Sequence, residues 1–281
     1  MRLSLICGTA GRTAELERAL LSISLQTAAS WELLVVDQNG DDRAARIIGS
    51  LKDNSHVQRL VTRPGLIRAL NLGLKNSTGD ILGFPDDDCW YPPSLLASLE
   101  SLLAQNADWD GITVPTKDDQ GRPSISRWHT VSGRLTKNNV GFRGCSTSMF
   151  FRRRVYEKIG GFDENIGGGL LSPSADMDYI HRAVQAGFHI EYRPELFIGH
   201  PQTLSPTGLD EKSRRKRYSY GFGEGSIARK FTLPLWYSFG LVAAPFARSC
   251  VRFISGKTEQ ARLEWLTFRG RLDGYVRHKS G

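Results

Sequence analysis

Short apolar runs alternate with amphipathic stretches along the first 110 residues of the chain. Each apolar run ends in polar or glycine-rich sequence, which is typical of buried strands, and leucine and isoleucine recur at helical spacing between the runs. The pattern predicts strands at 3–7, 32–37, 57–62 and 80–84, and helices at about 14–26, 42–52 and 67–76. Such alternation indicates right-handed βαβ units and an α/β fold with a mostly parallel sheet flanked by helices.

The regular alternation ends near residue 115. Residues 116–140 are polar and glycine-rich, which predicts a long excursion, that is, a segment outside the regular strand–helix alternation. Strands are predicted at 148–152, 188–192 and 196–198, helices at about 154–159 and 176–186, and a mobile loop at Gly167, Gly168 and Gly169. The composition changes again after residue 204. We therefore expect a main α/β domain at 1–204 and a C-terminal helical extension at 205–281.

Three polar clusters follow the ends of predicted parallel strands, at residues 8–12, 37–41 and 86–88. Ligands bind outside the carboxyl ends of the strands in such sheets, so we expect the clusters to share one crevice. The glycines at 8–12 do not form GxGxxG, and the chain contains no GxxxxGK[ST] sequence. The fingerprints of dinucleotide-binding proteins and of P-loop proteins are therefore absent.

The third cluster consists of Asp86, Asp87 and Asp88. Three consecutive carboxylates repel one another, so a fold that gathers them usually supplies a cation. Oxygen ligands suit Mg²⁺ or Mn²⁺. The alternative is that these acids favour the start of the helix after Pro92 and Pro93.

Other polar residues in this pattern have two interpretations each. Asp37 either bonds a ribose hydroxyl or forms a turn before Asn39. Asp176 and Asp178, at the start of a predicted helix, are candidates for a general base or acids favoured by the helix dipole. His200 follows a strand and is either a metal or phosphate ligand or a structural histidine.

The net charge of +8 is concentrated at the C-terminal end. Residues 205–281 contain 15 of the 37 Lys and Arg residues but 6 of the 29 Asp and Glu residues. A basic segment of this kind binds nucleic acid, an anionic membrane surface or an anionic substrate. Cys7, Cys89, Cys145 and Cys250 have neither zinc spacing nor the density of a disulfide framework, which favours reduced thiols in a cytoplasmic protein. The first apolar run is too short for a signal peptide.

Residues 231–247 form an uncharged apolar stretch within the basic segment. As a helix the stretch would be about 26 Å long, short of a hydrocarbon core of about 30 Å. Pro234 and Pro245 are expected to weaken a straight helix. We predict that the stretch lies in a membrane interface or packs against the main domain.

Taken together, motifs over about residues 2–200 resemble family 2 glycosyltransferases, the inverting group with the GT-A fold. The motifs occur in the family's order: the opening strand leading to Thr9, Ser22 with Gln26 and Thr27, the strand ending at Asp37, the segment 65–73, the acids 86–88, the turn 160–163 and the helix from Asp176. The resemblance implies transfer of a sugar from a nucleotide-diphosphate sugar to a saccharide or lipid-linked saccharide, in polysaccharide or glycoconjugate biosynthesis.

The resemblance also implies individual roles. Donor-binding residues would be Thr9, Asp37, Gln38, Arg68, Asp86 and Asp87; Asp88 and His200 would hold Mn²⁺ or Mg²⁺; and Asp176 would be the general base, with Asp178 as second choice and Arg182 near the pyrophosphate. Two positions depart from the family pattern, because Gln38 replaces a second acid and Ala175 replaces the glutamate before the base.

The basic, apolar extension fits a cytoplasmic enzyme that contacts the anionic inner face of the cell membrane peripherally. Two alternatives remain. A sugar nucleotidyltransferase would need a longer glycine- and arginine-rich loop near the N-terminus. A non-catalytic nucleotide- or nucleic-acid-binding protein would need aromatics interleaved with its basic residues, so we expect no nucleic-acid partner.

Overall fold

A computed structural model of the chain describes residues 1–28, 30–126, 128–164, 166, 174–202 and 210–277. The predicted mobile loop at 167–169 and the predicted domain boundary at 204 lie outside the described residues. The described residues fall into two compact units. One comprises those of Met1–Phe162 and Tyr179–Thr203, and the other those of Asp163–Asp178 and Leu204–Gly281.

The first unit is built on an eight-stranded sheet of order β3-β2-β1-β4-β8-β5-β9-β7. Strands β6 and β10 form a separate two-stranded sheet. The strands of both sheets are β1 Leu3–Thr9, β2 Trp31–Asp37, β3 Val57–Val61, β4 Ile81–Gly83, β5 Gly111–Thr113, β6 Thr116–Lys117, β7 Gly133–Arg134, β8 Met149–Arg152, β9 Ile190–Tyr192 and β10 Ile198–Gly199. Strands β1 to β4 pair in parallel, whereas β8 runs antiparallel to both β4 and β5. The predicted mostly parallel sheet is confirmed.

Helices connect and follow these strands. They are α1 Ala14–Ser24, α2 Arg43–Ser50, α3 Leu66–Asn76, α4 Leu95–Gln105, α5 Arg153–Ile159, α6 Ala175–Gln185, α7 Glu211–Lys230, α8 Leu235–Ile254 and α9 Thr258–Arg277. The predicted first four strands and the helices between them are confirmed with small shifts at their ends. The apolar periodicity located them because the same residues form the buried core, which includes Leu16 and Leu20 of α1 and Leu33 and Val35 of β2.

The excursion at 116–140 contains regular structure that the polar sequence did not indicate. Strand β6 pairs in parallel with β10, and β7 joins the edge of the main sheet through β9. Both strands are two residues long. A strand this short has no alternation to detect, and only its distant partner defines it.

Glycines allow the helices α7 and α9 of the second unit to approach closely. A Cβ atom on Gly225 would lie 2.0 Å from the carbonyl oxygen of Arg271, and one on Gly274 would lie 2.0 Å from that of Phe222. Gly221 and Gly270 make similar approaches. Side chains at these positions would separate the two backbones, so the repeated glycines of both helices are required by this packing.

Helix α8 continues through Pro245, one of the two prolines expected to weaken a straight helix here. Proline removes the N–H that would bind the carbonyl of Leu241. In the structure, Nη1 of Arg271 donates to that carbonyl oxygen at 2.7 Å, while Nε of Arg271 donates to Glu224 Oε2 at 2.5 Å. The side chain of α9 thus replaces the missing helical hydrogen bond. Among the described residues, no helix is long and apolar enough to cross a membrane.

Candidate active site

The strand order β2-β1-β4 brings the three polar clusters together at one edge of the sheet. The backbone N–H of Gly11, after β1, donates to Asn39 Oδ1, after β2, at 2.6 Å. The hydroxyl of Thr9, at the end of β1, donates to Asp87 Oδ2, after β4, at 2.8 Å. The crevice predicted from the sequence is therefore formed by direct contacts between its three loops.

Asp37 is fully buried at the end of β2. Its Oδ1 accepts hydrogen bonds from the N–H and the side-chain amide of Asn39, at 2.9 and 2.7 Å. Its Oδ2 lies 2.7 Å from Nη2 of Arg59, which projects from the neighbouring strand β3. A buried carboxylate requires such a partner, so Arg59 stabilises the charge of Asp37 and holds the loop after β2.

Gln38 and Arg68 lie at the same edge of the sheet. The side-chain carbonyl of Gln38 accepts a hydrogen bond from the N–H of Gly65 at 2.7 Å, which leaves its amide nitrogen as a donor. Arg68 is exposed in the first turn of α3 and, with Val61 and Arg63, lines an open depression of about 790 Å³. These residues form the part of the crevice after β2 and β3.

The three consecutive acids point in different directions. Asp87 turns inward, where Thr9 and the guanidinium of Arg12 bind its two oxygens. Arg12 also contacts Asp88, with Nη2 2.7 Å from Oδ2. Asp86 and Asp88 turn instead toward His200, with Asp86 Oδ2 4.0 Å and Asp88 Oδ1 3.3 Å from Nε2.

The backbone places His200 beside Asp88 through an antiparallel bridge. The N–H of Trp90 donates to the carbonyl of Gly199 and the N–H of Gly199 donates to the carbonyl of Trp90, both at 2.8 Å. Asp88 lies two residues before Trp90, and His200 follows Gly199. The bridge therefore joins two residues that are more than one hundred positions apart in the sequence.

The electrostatics of the cluster favour added positive charge. Burial acts to raise the pKa of Asp88, but its contacts with His200 and then Arg12 outweigh burial and leave the pKa below its ordinary value. Burial acts to lower the pKa of His200, but Asp88 and then Asp86 leave it raised. Burial raises the pKa of Asp87 despite the opposing effects of Arg12 and Thr9.

The donor set fits a divalent cation. One ligand atom from each of Asp86, Asp88 and His200 lies within 4.8 Å of the others. Within the part of the chain that the structure describes, the buried Asp88 Oδ1 has no well-formed hydrogen bond, although His200 Nε2 lies 3.3 Å away. His200 Nδ1 lies 2.7 Å from the carbonyl oxygen of Pro201, so Nδ1 donates there and Nε2 faces the two carboxylates. Two carboxylates and one imidazole nitrogen are suitable ligands for Mn²⁺ and related ions.

The predicted bases lie in the second unit, on helix α6. Asp176 occupies the first turn of the helix, half-buried, and its Oδ1 accepts a hydrogen bond from the N–H of Met177 at 2.8 Å. Asp178 is fully buried, with Oδ1 2.8 Å from Nζ of Lys230 on α7. The same Nζ lies 3.1 Å from Asp163 Oδ2, so Lys230 joins the turn at 163 to helix α6.

Two backbone carbonyls accept hydrogen bonds from the side chain of Arg182. Its Nη1 and Nη2 donate to the carbonyl oxygens of Ile159 and Gly161, each at 2.7 Å. These bonds fix the glycine turn before Phe162. The expected position of Arg182 near a pyrophosphate stays a prediction.

Comparison with known proteins agrees with the order of the motifs. Residues 4–160, more than half of the chain, match the family model described as glycosyl transferase family 2. The chain belongs to this family. Residues 85–266 also match the model described as glycosyl transferase family group 2.

Similar glycosyltransferases cover most of the chain. Glycosyltransferase AglE of Haloferax volcanii is 24% identical over 258 residues, which cover 86% of this chain and 82% of AglE. The mannosyltransferase PcManGT of Pyrobaculum calidifontis, solved with GDP-Man and Mn²⁺, superimposes with a TM-score of 0.69 at 14% identity, over 99% of this chain and 88% of that chain.

Residues 1–349 of S. aureus TarS, solved with UDP-GlcNAc, give a TM-score of 0.62 at 15% identity, covering 98% of this chain and 89% of that chain. A longer TarS chain is covered to 54%. At these identities the solved structures show the fold, which is the GT-A fold of glycosyltransferases. The family 2 protein described here is thus a glycosyltransferase that uses a nucleotide-sugar donor.

Sequence reasoning missed three charged residues around the family 2 motifs. Arg12 had a weak signal, as a basic residue in a loop expected beside three acids. Arg59 also had a weak signal, because it is a charged residue within the predicted strand that follows the strand of Asp37. Lys230 had none, because more than fifty residues separate it from both of its acidic partners and only tertiary structure shows the contact.

Proposed function

We propose that the protein transfers a sugar from a nucleoside diphosphate sugar to a saccharide or lipid-linked saccharide, with inversion at the anomeric carbon and with a divalent cation. The observation that carries this proposal is the convergence of Asp86, Asp88 and His200 at the carboxyl ends of the strands. Ligands bind at that edge in open parallel sheets. The cluster therefore lies where a donor diphosphate is expected.

The cation would be held by Asp88 and His200, with Asp86 beside it on the donor side. Mn²⁺ is favoured over Mg²⁺, because an imidazole ligand suits a transition metal better than Mg²⁺. The similar PcManGT was solved with Mn²⁺. When bound, such a cation stabilises the charge that develops on the leaving diphosphate.

The protein's own residues would hold the remainder of the donor. Asp37, paired with Arg59, fixes the loop that carries Gln38, and the amide hydrogens of Gln38 suit a carbonyl oxygen of a nucleobase. Arg68 is exposed at the same edge and suits a phosphate. Thr9 and Arg12 hold Asp87 inward, so Asp87 would shape the donor site through these contacts.

Asp176 is proposed as the general base that removes the acceptor proton before the acceptor oxygen attacks the anomeric carbon. Asp176 lies in the first turn of α6, where the helix dipole favours a negatively charged side chain. Asp178, buried against Lys230, suits a supporting role better than proton exchange with an acceptor.

The setting proposed is glycoconjugate assembly on the cytoplasmic side of a membrane. Similar curated proteins include a PGL/p-HBAD biosynthesis glycosyltransferase of Mycobacterium tuberculosis. The four cysteines are widely spaced in the sequence, as expected of reduced thiols in a cytoplasmic protein. A nucleotidyltransferase or a non-catalytic binding protein is not favoured, because the matching families and relatives are glycosyltransferases.

A thermal-shift experiment tests the donor site. UDP, GDP and dTDP are added with and without Mn²⁺ to the wild type, to Asp88→Asn and to the control Asp119→Asn, whose carboxylate is exposed. A ligand of the folded state raises the melting temperature. We expect one nucleotide to give a Mn²⁺-dependent rise in the wild type and the control but not in Asp88→Asn. No rise with any nucleotide would contradict the proposal.

A second variant separates binding from chemistry. Asp176→Asn should keep the Mn²⁺-dependent nucleotide shift, because the residue is proposed to act on the acceptor. Transfer of a radiolabelled sugar to the acceptor should fall by about 10²-fold or more. Unchanged transfer would remove Asp176 from its proposed role, while leaving the donor site intact.

A further inference from the structure

One side of helix α8 exposes large apolar side chains along its whole length. The α8 stripe, defined as Trp236, Phe239, Phe246 and Phe253, has exposed fractions of 73%, 75%, 44% and 68%. The spacing of three and seven residues keeps these side chains on one side of the helix. Contiguous exposed aromatics of this kind mark an interaction surface.

The opposite side of α8 is already occupied by α9. Ser238, Pro245 and Ser249 are buried, and the hydroxyl of Ser249 donates to the carbonyl of Ala261 at 2.8 Å. Arg248 and Arg252 both pair with Glu264 of α9, at 3.0 and 3.2 Å. Because α9 covers one side of α8, a partner would bind α8 on the side of the stripe.

The apolar surface continues from α8 onto α9. A depression of about 450 Å³ lies between the end of α8 and the start of α9, and its wall is mainly apolar. It is lined by Ser249, Cys250, Phe253, Ile254, Thr258, Ala261, Arg262 and Trp265. Two apolar side chains at its rim are well exposed, Ile254 at 84% and Trp265 at 43%. The surface is therefore wider than a single helical stripe.

The charge of the C-terminal segment 205–281 selects an anionic partner. This segment contains 15 Lys and Arg against 6 Asp and Glu. Arg214, Arg215, Lys257, Arg262 and Arg269 are exposed. Two copies of so basic a segment repel each other, which disfavours pairing of the stripe with itself. Exposed tryptophan and phenylalanine beside arginine and lysine are the composition of helices that lie in the plane of an anionic lipid interface.

We propose that the α8 stripe docks on an anionic lipid bilayer, with α8 parallel to the surface and Trp236, Phe239, Phe246 and Phe253 inserted among the headgroups. The arginine and lysine side chains of the same unit contact the lipid phosphates. This surface is separate from the residues proposed for sugar transfer, so either proposal can fail without the other.

Vesicle flotation tests the proposal with the full chain and two compositions, phosphatidylcholine alone and phosphatidylcholine with one-third phosphatidylglycerol. The wild type should float with the anionic vesicles, and Trp236→Ser with Phe239→Ser should lower the partition coefficient about 10-fold or more. The matched control, Leu25→Ser with Val131→Ser, removes two equally exposed apolar side chains from the first unit. It should float like the wild type, and circular dichroism melting verifies that both variants are folded.

Quenching by lipids brominated along the acyl chain reports insertion directly. Tryptophan fluorescence of the wild type should be quenched, and Trp236→Phe should lose part of the quenching while still floating. Flotation that is unaffected by the stripe substitutions would overturn the proposal. A concentration-dependent dimer, absent in the stripe variant and accompanied by no flotation, would overturn it in favour of a second copy.

Discussion

The indole of Trp90 lies directly against the backbone of Gly199. A Cβ atom at Gly199 would fall 1.9 Å from Cε2 of Trp90, and the two residues exchange both backbone hydrogen bonds at 2.8 Å. The guanidinium of Arg18 covers the same ring, 3.5 Å from its centroid. This contact determines how closely the loop of Asp88 approaches His200, and hence whether their ligand atoms converge.

Gly199→Ala should therefore weaken cation binding as well as stability. The new methyl group must push Trp90 away, which costs about 1–3 kcal/mol and separates Asp88 from His200. Urea unfolding measures the first effect, and Mn²⁺ titration followed by the melting temperature measures the second. Gly49→Ala is the control, because a Cβ there meets nothing within 4 Å. Equal Mn²⁺ responses in both variants would show that the bridge does not position the cluster.

The positive charge of Arg12 acts on the acidic cluster in the same way as a bound cation would. Its guanidinium contacts Asp87 and Asp88, and removing it by Arg12→Gln leaves those carboxylates to repel one another. We expect a loss of about 1 kcal/mol in the absence of cation, because Arg12 is partly exposed. Added Mn²⁺ should raise the melting temperature more in this variant than in the wild type. Arg43→Gln, which removes an exposed pair with Asp41, should leave the Mn²⁺ response unchanged.

Lys230 supports the helix that carries Asp176. Lys230→Met leaves the buried Asp178 without its lysine, and we expect a loss of about 2–4 kcal/mol in the free energy of unfolding. Because Asp176 is two residues from Asp178, kcat should fall more than the donor KM changes. Adding Asp178→Asn should recover part of the lost stability, since the buried charge is then removed. A double variant less stable than Lys230→Met alone would argue against this account.

Arg271 and Pro245 should be energetically coupled. Arg271→Met leaves the Leu241 carbonyl, freed by proline, without its donor, and this should cost about 1–3 kcal/mol. With Pro245→Ala, the backbone N–H regained at position 245 can bind the Leu241 carbonyl, so the cost of Arg271→Met should be smaller. Urea unfolding of the two single variants and the double variant gives the coupling. Additive effects would mean that Arg271 does not replace the missing bond.

The sequence by itself determined the elements that depend on local periodicity. The strands ending at Thr9 and Asp37 and the helix before Asn76 were found because burial of one side imposes a regular apolar pattern. The polar clusters were placed in one crevice because parallel strands present their carboxyl ends at the same edge. Composition likewise located the basic C-terminal segment, since charge and hydropathy need no knowledge of contacts.

Tertiary structure alone decided which partners these residues have. The sequence placed the three acids together, but only the Trp90–Gly199 bridge determines that Asp86 and Asp88 face His200 while Asp87 faces Arg12. The two-residue strands β6 and β7, and the passage of α8 through Pro245, also depend on groups far along the chain. Contacts between distant segments leave no periodic signal, because each arises from a single pair of residues that folding brings together.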